Sequence, residues 1–113
     1  MKVVVVDAAA AVRSRVVALL WEAGLTVVGE AATAAHARRC IREHAPHPVV
    51  LDVDLPDREG LALVEELVPS HFVVVVTNAL AYRRRCLALG AHAFLDKSTE
   101  FASVSDALLR DMV

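Results

Sequence analysis

At 113 residues the chain can build one real core and is too short for two, so residues 1–113 read as a single domain. A net charge of −2 and a pI near 6.2 argue against nonspecific nucleic-acid binding. No apolar run reaches the roughly 20 residues of a membrane span, since the stretch from Val16 to Trp21 is cut by Glu22. An apolar fraction of 57% suits a sheet buried on both faces.

Lys2 to Val6 is a continuous β-branched run and reads as a central parallel strand. Val12, Val16 and Leu19 or Leu20 then recur at helical spacing, with Arg13, Arg15 and Glu22 opposite, up to Gly24. Thr26 to Gly29 is a second strand. Thr33 is placed to cap a helix that runs to about His44, buries Ala37 and Ile41, and stops before Pro46 and Pro48. Val49 to Asp52 is the third strand, followed by a helix from about Glu59 to Val68 that ends at Pro69. Phe72 to Val76 is the fourth strand, and Leu80 to Leu89 a helix closed by Gly90. Ala91 to Leu95 is the fifth strand. Ser98 or Thr99 then caps a last helix whose Phe101, Val104 and Leu108 face inward.

Five strand–helix pairs in strict alternation predict an α/β fold, an open parallel sheet covered on both faces. The ligand site of such a sheet lies beyond the carboxyl ends of its strands. Asp7, Asp52, Thr77 and Lys97 each follow an apolar run at that edge. A carboxylate can attack a phosphoryl group, a second carboxylate helps to hold Mg²⁺, and a lysine and a threonine can engage phosphoryl oxygens. Taken singly, each residue reads more readily as a loop salt bridge or a strand end; their joint placement points to phosphoryl chemistry.

With these residues in view, the whole chain resembles the receiver domain of two-component response regulators. The matching pieces are VVVVD, VVLDVDLPDREG, VVVVTNA and GAHAFLDKS. The resemblance implies a (βα)₅, flavodoxin-like sheet of strand order 2-1-3-4-5. It implies that Asp52 accepts a phosphoryl group from a phosphohistidine on a sensor histidine kinase or phosphotransfer protein. Lys97 would be the family lysine, Thr77 the switch hydroxyl and Phe94 the switch aromatic. Mg²⁺ would be held by Asp7, Asp52 and the backbone carbonyl of Asp54. A downstream protein would dock on the face of the fourth helix, fifth strand and fifth helix. Such a domain is no enzyme beyond promoting its own phosphotransfer and dephosphorylation.

Two positions depart from the pattern. Receivers carry two acids after the first strand, whereas here Asp7 is followed by Ala8, which removes a metal ligand and weakens Mg²⁺ binding. The Asp54 side chain is a candidate to compensate. Lys97 is followed by Ser98 where many receivers have proline, so a trans bond is expected. Asn78, after Thr77, is bulkier than the family's small residue and would slow access to the site.

Two other readings stand beside the receiver. One is a degenerate receiver that binds a partner without phosphorylation because Ala8 disables the metal site. The other is a small aspartate-nucleophile phosphatase of the haloacid dehalogenase type, although its motif follows the first strand rather than the third. The arginines Arg83, Arg84 and Arg85 beside Tyr82 read as a solvated helix face. His44 and His47 lack a metal-binding constellation. Cys40 and Cys86 read as reduced core residues of a cytoplasmic protein.

Overall fold

Five parallel strands alternate with five helices in the computed structural model, which describes residues 1–111, with side chains to residue 110. They are β1 (Lys2–Val6), α1 (Ala10–Glu22), β2 (Thr26–Ala31), α2 (Ala34–His44), β3 (Pro48–Leu51), α3 (Gly60–Leu67), β4 (Phe72–Thr77), α4 (Arg83–Leu89), β5 (Ala93–Asp96) and α5 (Val104–Asp111). The sheet order is β2-β1-β3-β4-β5, the flavodoxin-like order that the resemblance implies.

The continuous apolar runs are explained by burial on both faces of the sheet, whose two apolar layers together form the core of the domain. Because successive strand residues point to opposite faces, Val4, Val6, Val49, Leu51, Val73, Val75 and Phe94 pack with residues of α2, α3 and α4. Val3, Val5, Val50, Val74, Val76 and Leu95 pack on the other face with Val16 and Leu20 of α1 and Val104 and Leu108 of α5. Both cysteines are buried and unpaired, and burial raises the pKa of each thiol.

Several boundaries differ from expectation for local reasons. β3 ends at Leu51, so Asp52 stands just beyond it, and β2 runs on to Ala31. Residues Leu80–Tyr82 form a 3-10 turn before α4, and β5 begins at Ala93 because Ala91 is engaged by the end of α4 through the Cys86 carbonyl. Thr33 caps α2 as expected, its hydroxyl oxygen accepting from the His36 amide at 3.1 Å. Neither Ser98 nor Thr99 caps the last helix. The amide and hydroxyl of Ser98 both donate to Asp96 Oδ1, at 2.9 and 2.7 Å, and a 3-10 turn at Phe101–Ser103 leads into α5. The Lys97–Ser98 bond is trans. Among the described residues no helix is long and apolar enough to cross a membrane.

Candidate functional site

The sheet ladder continues past the last strand residues and sets the site's spacing. The Asp7 amide donates to the Ala31 carbonyl at 3.0 Å, Asp52 to Val6 at 2.9 Å and Lys97 to Thr77 at 3.0 Å. Asp7, Asp52 and Lys97 share the alternation of Val5, Val50 and Leu95 and so leave the sheet on the α1–α5 side. Thr77 follows Val75 and leaves on the other.

Three of the four residues meet as charges. The Lys97 ammonium lies 2.8 Å from Asp7 Oδ2 and 2.6 Å from Asp52 Oδ2. Both acids are buried, 5% and 7% exposed, and neither could be held there as an anion without such partners. Their other oxygens are also engaged: Asp7 Oδ1 accepts from the Ala9 amide and Asp52 Oδ1 from the Asp54 amide, each at 2.9 Å. Burial works against the charged form of Lys97, but hydrogen bonds to Asp52 and Asp7 outweigh it and raise its pKa. The carboxylates total two negative charges against one ammonium, so the cluster carries a net negative charge.

Thr77 is fully buried, and its hydroxyl oxygen accepts from the Ala79 amide at 3.1 Å. It makes no hydrogen bond to Asp52 or to the Lys97 ammonium among the described residues. A hydroxyl that accepts one bond retains its own proton for another acceptor. Phe94 is buried on the α2–α4 side, with the Arg83 guanidinium 5.6 Å from its ring centroid and 3.5 Å from its carbonyl oxygen. Arg83 thus ties the start of α4 to β5, while Arg85 lies over Tyr82 at 5.7 Å.

The resemblances of the chain agree with this geometry. Residues 3–109 match the family model of the response regulator receiver domain. The chain belongs to that family. It is 32% identical over 92 residues to the transcriptional regulatory protein YvfU of Bacillus subtilis, covering 77% of this chain and 46% of that one. It is 30% identical over 111 residues to the virulence-factor transcription regulator BvgA of Bordetella pertussis, covering 94% and 53%. The receiver therefore spans about half the length of these relatives. The signal receiver domain of the response regulator NarL from Mycobacterium tuberculosis superposes with a TM-score of 0.85 at 29% identity, over 96% of this chain and 93% of that one. At 16% identity, the response regulatory domain of protein mrkE from Klebsiella pneumoniae shares the fold with a TM-score of 0.89, over 99% and 95%.

Receiver domains generally use Mg²⁺, and the donor set here suits it in part. Two neighbouring carboxylates in a net negative cluster match a cation that takes one or two carboxylates and completes its shell with water and phosphate oxygens. Among the described residues, however, no three His, Cys, Asp or Glu side chains gather into a metal-binding group. Ala8 is exposed where an acid would stand, and the Asp54 carboxylate two residues after Asp52 is exposed as well.

Around the receiver's site stand residues that sequence reasoning missed. Arg13 donates to the Asp7 carbonyl at 2.7 Å and pairs with Glu30 at 3.2 Å, pinning the β1–α1 junction to the end of β2. Glu100 accepts from the Asp96 amide at 3.0 Å and steadies the turn that carries Lys97. Asp57 reaches across to the start of α2. The Arg13 contact is local, because Arg13 stands in the first turn of α1, six residues after Asp7. The Asp57 contact spans 22 to 23 residues and has no local signal.

Proposed function

We propose that this receiver is a phosphorylation-controlled signalling module in which Asp52 takes a phosphoryl group from a phosphohistidine on a sensor kinase or histidine phosphotransfer protein. The observation that carries the reading is the Lys97 ammonium held between the Asp7 and Asp52 carboxylates at the carboxyl edge of the sheet. In the transfer, a carboxylate oxygen of Asp52 bonds to phosphorus and the bond from phosphorus to the imidazole nitrogen breaks. The imidazole keeps that electron pair and takes up a proton. Lys97 then exchanges its contact with Asp52 for one with the new phosphoryl oxygens, and the free proton of the Thr77 hydroxyl is donated to another. Asp7, Asp52 and the main-chain carbonyl of Asp54 would hold Mg²⁺. Bound there, the ion supplies positive charge against the phosphoryl oxygens.

Switching would follow from competition at Thr77. Its hydroxyl oxygen now caps the turn that starts at Ala79, so a shift toward the phosphoryl group loosens that turn and, through Arg83, the packing on Phe94. The face made by α4, β5 and α5 would change shape and engage a downstream protein. Residues 1–113 would act as a single domain in the cytoplasm, with no activity beyond gaining and losing its own phosphoryl group.

A degenerate receiver is the second reading, and the exposed Ala8 with only two clustered carboxylates favours it. Intact mass after incubation with acetyl phosphate and Mg²⁺ separates the two, with Asp52→Asn as control. A gain of one phosphoryl group that is lost in the variant supports the first reading, and no gain at any Mg²⁺ concentration supports the second. Sustained hydrolysis of an aryl phosphate would instead indicate a phosphatase.

A further inference from the structure

We propose that Asp57 is a positioning residue: by capping α2 from the β3–α3 loop, it holds the Asp54 main chain and, through it, the Asp52 carboxylate. The inference rests on the reading of Asp52 as phosphoacceptor and names a further residue of the same loop that the site depends on.

The Asp57 carboxylate accepts from the Ala34 amide at 3.3 Å and the Ala35 amide at 3.1 Å. These are first-turn amides of α2 with no partner inside the helix. Thr33 already takes the His36 amide, so two of the three side-chain caps on α2 come from the acceptor loop. Burial pushes the Asp57 pKa up, but the main-chain amides, those of Ala35 and Ala34 foremost, bring it below the ordinary carboxylate value. A second tether lies two residues on, where Glu59 pairs with Arg38 of α2 at 2.7 Å. Arg38 also forks onto Glu66 of α3, at 2.8 and 3.0 Å.

The inner side of the same loop is fixed to the site. The Asp54 amide holds Asp52 Oδ1, and the start of α3 at Gly60 abuts the Val53 main chain so closely that a Cβ there would collide with the Val53 carbonyl. Between the two tethers sits Arg58 at φ 59°, a left-handed conformation that costs a non-glycine residue. Such a conformation persists where its surroundings hold it, and the bonds of Asp57 and Glu59 flank it. With Ala8 in place of an acid, the main-chain carbonyl of Asp54 would carry a larger share of the ligand set of a bound Mg²⁺. Placement of this loop then limits the site.

Asp57→Ala and Asp57→Asn test the idea by two measurements on the full chain: amide hydrogen exchange of Asp54, and the Mg²⁺ dependence of phosphorylation by acetyl phosphate. Asp57→Ala is expected to speed Asp54 exchange about five- to tenfold, the scale of a lost helix cap. It should raise the Mg²⁺ needed for half-maximal rate, while the rate at saturating Mg²⁺ stays within about twofold. Asp57→Asn keeps one acceptor oxygen and should fall between. Faster exchange at Ala34 and Ala35 alone, with Asp54 and the Mg²⁺ dependence unchanged, would overturn the proposal and leave Asp57 a simple cap. If the wild type gains no phosphoryl group, the reading of Asp52 fails, and Asp54 exchange still decides the role of Asp57.

Discussion

Replacing Lys97 by methionine removes the cation between two buried carboxylates while keeping a side chain of similar length. The two Oδ2 atoms lie 2.8 and 2.6 Å from one nitrogen and so no more than about 5.4 Å from each other. Two unit charges at that distance repel by about 3 kcal/mol at an effective dielectric constant of about 20. Each acid retains one main-chain amide donor, from Ala9 or Asp54, which softens the loss. We expect Lys97→Met to destabilise the fold by about 2–3 kcal/mol at pH 7. The sign of the pH dependence follows from linkage. In the wild type the Lys97 pKa is raised on folding, so its contribution is complete below the unfolded lysine value and is lost only as pH rises through the higher folded one. Urea unfolding followed by circular dichroism at pH 7 measures the loss. A variant as stable as the wild type would refute the account of Lys97 as the counter-ion of both acids.

Ala8→Asp should lower the Mg²⁺ concentration for half-maximal phosphorylation by acetyl phosphate about tenfold, the effect of restoring one carboxylate ligand; equal midpoints would mean that Ala8 does not weaken the site. Thr77→Val leaves the Ala79 amide without its hydroxyl partner and should cost about 1 kcal/mol in a urea melt. Gly60→Ala drives a Cβ into the Val53 carbonyl, so either the loop or α3 must shift; a loss of about 2–3 kcal/mol is expected, with altered backbone chemical shifts at Val53 and Asp54. The Asp57 pKa is lowered on folding, so its contribution is present above the unfolded carboxylate pKa and lost as pH falls through the lower folded value. Asp57→Asn should flatten the acid limb of the stability–pH curve in that window, below about pH 4.

The alternation of β-branched runs with 3.6-period segments was enough to predict the parallel sheet, because a strand buried on both faces has no polar side to show. Boundaries were less readable where a side chain or carbonyl from elsewhere in the chain intervened. Ser98 carries the composition of a helix cap, yet the Asp96 carboxylate two residues earlier takes both its donors. The 3-10 turn before α4 is preceded by the bond from the Ala79 amide to the Thr77 hydroxyl, a contact that helical periodicity does not contain.

The candidate site divides in the same way. The ends of the apolar runs place Asp7, Asp52, Thr77 and Lys97 at one edge of the sheet, whereas the sides from which they leave it are set by the register of the strands. That one ammonium bridges both acids depends on sheet order, which brings β1 beside β3, and on a turn after β5 that returns Lys97 over them. The sequence likewise displays Ala8 as a missing acid, but only the fold shows that the Asp54 side chain is exposed. The tethers from Asp57 and Glu59 to α2 are purely tertiary. They join segments more than twenty residues apart, and such contacts are determined by how the loop packs rather than by any local preference of the residues that make them.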